Sequence, residues 1–145
     1  MQMIEITNDA GQVMESGWLA RAERVHRELR PQIPEPYVES MGRVFEGGGR
    51  MTLAIYAGEV AGVAVFRVHE NTSQGRKLYV DDLVVDPECR SRGIGGALLA
   101  RLEEKARRAD CVVVDLDSGT ERQRAHRFYF RAGYTIRTFG FKKTL

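Results

Sequence analysis

Apolar residues recur along the first part of the chain with two different periods, one typical of strands and one typical of helices. Residues 3–7 alternate apolar and polar side chains, which predicts a short strand. Apolar steps of three and four residues over 13–29 then predict a helix with one buried face. The proline-rich stretch 31–36 cannot continue that helix. A second short helix is predicted over 37–45.

The middle of the chain reads as three successive strands. Residues 51–57 and 60–68 are two apolar runs, and Gly58-Glu59 is predicted to join them as a two-residue hairpin turn. A polar loop leads to the third strand, 78–85. Three antiparallel strands in a row, with helices before and after them, indicate a mixed α/β sheet rather than a doubly wound one.

The last third of the chain continues with a helix, a strand, a helix and a strand. An amphipathic helix is predicted over 94–109, and the near-continuous apolar run 111–116 is typical of a buried, parallel strand. A helix over 125–132 and a last strand over 134–141 follow. The prediction is one α/β domain spanning 1–145, with a mixed, mostly antiparallel central sheet of about six to seven strands and about four flanking helices.

Composition narrows the class of protein without identifying a function. The chain has 145 residues, is 43% hydrophobic and carries a net charge of +2, so no general attraction to nucleic acid or to a membrane is expected. No apolar run is long enough to span a bilayer, and the first residues lack the features of a signal peptide. Two cysteines, Cys89 and Cys111, are too few for a disulfide scaffold or a metal site. A cytoplasmic protein with reduced thiols, and without a bound metal, is expected.

The turn between the strand 78–85 and the following helix carries the first candidate chemistry. Arg90, Gly93 and Gly95 form an R-x-x-G-x-G pattern there. Glycines let backbone N–H groups approach a ligand, and the start of a helix favours an anion such as a diphosphate. The pattern is neither a P-loop nor a dinucleotide fingerprint, because the residues that follow differ. An ordinary glycine turn is the alternative.

Two motifs in this order resemble the GNAT family of N-acetyltransferases. The glycine turn resembles the acyl-CoA-binding signature Q/R-x-x-G-x-G/A of that family. The segment 125–129, followed by Gly133-Tyr134, resembles the later A-x-x-F-Y-x-x-x-G-F/Y motif. The stretch 125–145 is also similar to aminoalkylphosphonate N-acetyltransferases. Arg122 is a departure, because many members place an asparagine there that contacts the cofactor.

The resemblance implies acetyl-CoA as the cosubstrate and a GNAT-like fold with a splay between the fourth and fifth strands. It implies that Tyr129 protonates the leaving thiolate, and that a homodimer is a common assembly. In this family the region between the first two helices often forms a wall of the acceptor pocket, where His26, Glu28, Glu35 and Tyr37 are candidates. The residues implied to bind the cofactor are Leu83, Val84, Val85, Arg90, Ser91, Arg92, Gly93, Ile94, Gly95, Gly96, Ala97, His126 and Tyr129.

Asp81 and Asp82 are the candidates for the general base. An amine with a pKa of about 10.4 must lose a proton before it attacks, which costs about 4–5 kcal/mol at pH 7. A carboxylate beside the amine can take that proton directly or through water. Strand alternation predicts that the two aspartates face opposite sides, so that only one faces the acceptor. The alternative is that they bind donors of a loop or a helix end.

The prediction from the sequence is therefore an acetyl-CoA-dependent N-acetyltransferase that acts on a primary amine of a small molecule. Transfer would be direct, within a ternary complex, and a backbone N–H near residues 83–85 would polarise the thioester carbonyl. Two alternatives remain open. The acceptor could be a protein or peptide amine, or the chain could be a non-catalytic module that binds acyl-CoA.

Overall fold

A five-stranded sheet organises most of the chain. The structure is a computed structural model that describes residues 1–145. The strands are β1 (Gln2–Glu5), β2 (Arg50–Tyr56), β3 (Glu59–Asn71), β4 (Gly75–Val85) and β5 (Val113–Leu116). They lie side by side in the order β1-β2-β3-β4-β5, and the three pairs β1–β2, β2–β3 and β3–β4 are antiparallel.

Four α-helices accompany the sheet, as the apolar periodicity predicts. They are α1 (Ser16–Leu29), α2 (Tyr37–Glu46), α3 (Ile94–Arg108) and α4 (Gln123–Arg131). The mixed α/β prediction is confirmed, but the sheet has five strands where six to seven are expected. None of the helices is both long enough and apolar enough to cross a membrane.

The chain divides by its internal contacts into two compact units, Met1–Asp115 and Leu116–Leu145. The core of the first unit consists of fully or almost fully buried apolar side chains from its helices and strands. Its members include Ile6, Leu19, Val25, Met41, Phe45, Met51, Leu53 and Val63. This core fixes α1 and α2 against the sheet, and the contacts below depend on that placement.

A glycine in β3 allows α3 to pack closely on the sheet. A Cβ atom on Gly62 would lie 2.7 Å from Leu98 Cδ1 and 3.0 Å from Ile94 Cγ2. Such separations are shorter than van der Waals contact, so only glycine fits without a shift of α3. The start of α3, and with it the glycine turn, is therefore held directly over β3.

The second unit contains α4 but no strand, so the predicted last strand over 134–141 is wrong. A strand needs a partner for its backbone groups, and a pattern of alternating residues supplies none by itself. Side chains of this segment are exposed instead, with Ile136 at 68% and Phe139 at 86%. The first helix also begins later than predicted, since Val13 forms an isolated bridge with Thr7.

Candidate active site

A β-bulge in β4 brings the two candidate carboxylates to one side of the sheet. Val65 of β3 lies opposite Asp82 and Phe66 lies opposite Val80, so Asp81 is the extra residue. A bulge interrupts the alternation of side chains and is a common way to redirect them. Both aspartates line the same pocket. The prediction that they face opposite sides is wrong for this reason.

The pocket has a volume of about 580 Å³ and lies between the sheet and the first two helices. This volume is in the range of sites that bind small molecules. The charged side chains in its wall come from the residue that follows α1 and from α2, β3 and β4. The lining residues are His26, Arg30, Gln32, Ile33, Pro34, Ser40, Met41, Arg43, Val44, Val65, Arg67, Tyr79, Asp81 and Asp82.

Asp82 is held by two donors and remains a carboxylate. Its Oδ1 accepts a hydrogen bond from Arg30 Nε, and its Oδ2 lies 2.9 Å from His26 Nε2. Burial raises the pKa of Asp82, but the hydrogen bonds from His26 and Arg30 lower it by more, so the pKa lies below its ordinary value. A carboxylate with this environment suits the binding of a cation better than the uptake of a proton.

His26 connects Asp82 to the interior of the protein. The imidazole is 1% exposed, and its Nδ1 lies 3.0 Å from the hydroxyl of Tyr37. Burial, together with the charge of Glu23, raises the pKa of Tyr37, so its phenol keeps the proton. A carboxylate only accepts hydrogen bonds. Nε2–H of His26 therefore donates to Asp82. In the neutral imidazole Nδ1 is then the acceptor, and the hydroxyl of Tyr37 donates to it.

Asp81 has a separate partner on the neighbouring strand. Arg67 Nε donates to Asp81 Oδ2 at 2.8 Å, and Arg67 Nη1 donates to the carbonyl of Gly47 at 3.1 Å. Each aspartate is thus paired with its own arginine, which limits the repulsion between two neighbouring carboxylates. Of the four pocket candidates from the sequence only His26 lines the pocket, and Glu28, Glu35 and Tyr37 do not.

The glycine turn presents an uncapped helix start. The N-cap of α3 is Gly93, in the left-handed region at φ 76°, and no side chain caps the helix. Ser91 also has a positive φ of 64°, which is uncommon for a residue with a side chain. A Cβ at Gly93 or Gly96 would meet nothing within 4 Å. The N–H groups of the first turn are therefore available to an anion such as a diphosphate.

The end of β4 connects the carboxylates with this turn. Residues Leu83, Val84 and Val85 pair with Ala64, Val63 and Gly62 of β3. Contacts between β5 and β4 lie at the other end of β4, where Val112 N–H donates to the Arg76 carbonyl and Lys77 pairs with Asp115. The expected splay of these two strands stays a prediction.

A buried aspartate that the sequence pattern did not single out holds the short helix before the glycine turn. Asp86 is 3% exposed, and its carboxylate accepts hydrogen bonds from the Glu88 N–H and from Arg24 of α1. The bond from Arg24 is the main reason that the pKa of Asp86 lies below its ordinary value. The sequence signal for Asp86 was its position, directly after the last residue of β4 and directly before Pro87.

The second unit contains the candidates Tyr129 and His126, both on α4. The ring of Tyr129 lies 5.2 Å from that of Phe128 and 6.0 Å from that of Tyr134, measured between centroids. Burial raises the pKa of Tyr129, and the charge of Arg122 opposes that rise only in part. His126 Nε2 donates to the Gly119 carbonyl at 2.8 Å, which ties α4 to the loop before it.

Comparison with known sequences identifies one family. The model of the acetyltransferase (GNAT) family matches residues 18–134. The chain is 33% identical over 129 residues to the uncharacterized N-acetyltransferase YhdJ of Bacillus subtilis, covering 86% of this chain and 89% of that protein. It is 39% identical over 97 residues to the aminoalkylphosphonate N-acetyltransferase of Salmonella typhimurium, covering 64% of this chain and 61% of that protein.

Solved structures with the same fold include acetyltransferases of lower sequence identity. An acetyltransferase of Trypanosoma brucei is 22% identical with a TM-score of 0.76, covering 99% of this chain and 100% of that one. AAC(6')-Iy, solved with the bisubstrate analog CoA-S-monomethyl-acetylneamine, is 14% identical with a TM-score of 0.79, covering 99% and 98%. At these identities the comparison supports the fold alone.

Proposed function

The chain belongs to the acetyltransferase (GNAT) family, and from that premise we propose that it transfers an acetyl group from acetyl-CoA to a primary amine of a small molecule. The transfer is direct and takes place in a ternary complex, without a covalent enzyme intermediate. The observation that carries the proposal is the bulge at Asp81. It directs two carboxylates into one pocket on the strand that leads to the uncapped start of α3.

The two carboxylates have different roles in this proposal. Asp82, held by His26 and Arg30 and with a lowered pKa, binds the incoming ammonium group. Asp81 accepts the proton of that amine directly or through a water molecule, because only its Oδ2 is engaged, by Arg67. The amine nitrogen can then attack the thioester carbonyl.

The cosubstrate is held by the backbone of β4 and by the glycine turn. N–H groups of residues 83–85 bind the pantetheine arm and polarise the thioester carbonyl, as an oxyanion hole does. Residues 90–97 bind the diphosphate with the free N–H groups at the start of α3. Tyr129, whose raised pKa keeps the phenol protonated, donates the proton to the thiolate that leaves. His126 is a further cofactor contact in this proposal.

A small acceptor is favoured over a protein acceptor because the carboxylates lie in a pocket with walls from α1, α2 and the sheet. The relative from Salmonella typhimurium, named an aminoalkylphosphonate N-acetyltransferase, makes such amines the first acceptors to test. Reduced cysteines suit a cytoplasmic enzyme, and Cys89 and Cys111 are both free. A homodimer without nucleic acid or membrane partners completes the proposal.

The experiment is a thiol-release assay with acetyl-CoA and a panel of amines, combined with calorimetric measurement of CoA binding. The panel contains aminoalkylphosphonates, polyamines, amino acids, aminoglycosides and short peptides. Thiol release with a small amine, and its loss in Asp81→Asn, supports the proposal. Release only with peptides would favour a protein acceptor. CoA binding without release from any amine would favour a binding module, and no CoA binding would refute the role of the glycine turn.

A further inference from the structure

The charged side chains in the wall of the acceptor pocket do not balance. Three guanidinium groups, those of Arg30, Arg43 and Arg67, face two carboxylates, so the pocket carries one excess positive charge. Arg30 and Arg67 each donate to one of the aspartates. Arg43 forms no ion pair with a carboxylate of the protein, and it is the source of the excess charge.

Arg43 is held at the pocket by a buried serine. Its Nη2 donates to Ser40 Oγ at 2.8 Å, and Ser40, which is 5% exposed, donates its own hydroxyl proton to the Pro34 carbonyl at 2.7 Å. Glu39 lies one helical turn before Arg43, where an exposed arginine commonly finds an ion-pair partner. No such pair forms. Because the hydroxyl of Ser40 is committed, it can only accept from Arg43, and the guanidinium stays beside the pocket.

We infer that the acceptor carries an anionic group in addition to its amine, and that Arg43 binds this anionic group. The inference rests on the proposed function, because it concerns the acceptor of that reaction. A guanidinium has five N–H donors in a planar fork, and Ser40 accepts from one of its two terminal nitrogens. The remaining donors match the two oxygens of a phosphonate or a carboxylate.

The two ends of such an acceptor meet opposite charges. Asp81 and Asp82 receive the ammonium end, and Arg43 receives the anionic end. An amine without an anionic group would pair only with the aspartates, and Arg43 would then contact water instead of the acceptor. A hydrogen-bonded charge pair of this kind corresponds to a preference of about tenfold to a hundredfold for the charged ligand.

The first test compares acceptors that share an amine but differ at the other end. Values of kcat/KM are measured for aminoethylphosphonate, β-alanine and propanolamine with the wild type, Arg43→Gln and the control Arg107→Gln. Arg107 is exposed on α3 and pairs only with Glu103 at 3.6 Å, so its replacement removes the same charge away from the pocket. Equal melting temperatures of the three proteins confirm that they are folded.

The expected result is that the wild type and Arg107→Gln prefer the anionic acceptors by about tenfold or more. Arg43→Gln loses this preference, because its kcat/KM falls about tenfold or more further for the anionic acceptors than for propanolamine. Arg43→Lys, which keeps the charge but not the planar fork, recovers part of the preference. In the wild type, the ratio of kcat/KM for aminoethylphosphonate to kcat/KM for β-alanine identifies which anion is the better ligand. The inference would be overturned if the wild type showed no preference for the anionic acceptors. It would also be overturned if Arg43→Gln lowered kcat/KM equally for all three acceptors.

A second measurement does not depend on turnover. Binding of ethylphosphonate and of propanoate, which have no amine, is measured by calorimetry in the absence of acetyl-CoA. The dissociation constant is expected to rise about tenfold or more in Arg43→Gln. Arg43-dependent binding together with no acetylation of any amine would refute the proposed function and keep the anion site. If amines are acetylated but the binding of ethylphosphonate and propanoate is unaffected by Arg43→Gln, the proposed function is kept and the anion site is refuted.

Discussion

Replacement of His26 by phenylalanine tests whether the hydrogen-bonded chain from Tyr37 to Asp82 is formed. Phenylalanine keeps an aromatic ring of similar size at a site that is 1% exposed. It removes both ring nitrogens, however, so Asp82 Oδ2 loses a donor and the hydroxyl of Tyr37 loses its acceptor. The change therefore affects hydrogen bonding more than packing.

The expected loss of stability follows from these two contacts. Losing a hydrogen bond to a charged carboxylate costs about 1.5–3 kcal/mol, and leaving a buried hydroxyl unpaired costs about 1–3 kcal/mol. We expect His26→Phe to lower the free energy of unfolding by about 3–5 kcal/mol, a large part of the ~5–15 kcal/mol typical of a domain. Tyr37→Phe, which leaves only Nδ1 without a donor, should cost about 1–2 kcal/mol.

The double variant separates this explanation from a packing defect. When both residues are phenylalanine, neither the hydroxyl nor Nδ1 is left unpaired, and only the bond to Asp82 is lost. The double variant avoids both unpaired-group costs, so it should be more stable than the sum of the two single effects predicts, by about 2–5 kcal/mol. A packing defect would give additive or larger losses, because two neighbouring rings would be disturbed.

Urea unfolding followed by circular dichroism measures these differences, with equal m-values as the condition for comparing midpoints. Tyr56→Phe is the control, since its hydroxyl is on a side chain that is 38% exposed and its change should be within about 0.5 kcal/mol. Additivity of His26→Phe and Tyr37→Phe, or a His26→Phe protein as stable as the wild type, would refute the hydrogen-bonded chain.

Three further predictions follow from individual contacts. Because the folded-state pKa of Asp82 lies below its ordinary value of 3.8, the stabilisation that this carboxylate provides is present above pH 3.8 and is lost as the pH falls through the folded pKa. In thermal melts, Asp82→Asn should therefore lose less stability in acid than the wild type does. Parallel curves of melting temperature against pH for the two proteins would contradict this. Gly62→Ala should lower the free energy of unfolding by about 1–3 kcal/mol, because the new Cβ would lie 2.7 Å from Leu98 Cδ1, whereas Gly17→Ala, where a Cβ meets nothing, should not destabilise. Tyr129→Phe should lower kcat about a hundredfold at neutral pH in the thiol-release assay, since the protonated phenol is lost as a proton donor; a kcat within about threefold of the wild type would exclude that role.

The elements of the fold were predictable wherever a long apolar pattern has a partner nearby in the chain. The helix 94–109 and the strands of the β2–β3–β4 meander were read from the sequence with small shifts at their ends. The segment 134–141 has the same alternating pattern as a strand, yet it forms none, because pairing depends on a partner that the pattern does not specify.

The candidate site was predictable in its residue types but not in its geometry. Asp81 and Asp82 stood out as charges in an apolar strand, but the bulge depends on the register with Val65 and Phe66. The burial of His26 did have a signal, since it follows Ala22 by four residues on the apolar face of α1. The partner of Arg30 lies 52 residues away in sequence, so that ion pair could not be predicted.

The bulge explains why the pocket contains so many arginines. Regular alternation would have placed one aspartate on each side of the sheet, and each could have met water or a single donor. With both on one side, the two carboxylates would repel each other. Arg30 and Arg67 offset that repulsion by pairing with one aspartate each, while Arg43, from the facing helix, forms no ion pair and contacts Ser40 instead. The one extra residue in β4 therefore determines the anionic end of the pocket. Because Arg30 and Arg67 pair with the aspartates there, the positive charge of Arg43 is the one that remains for the acceptor.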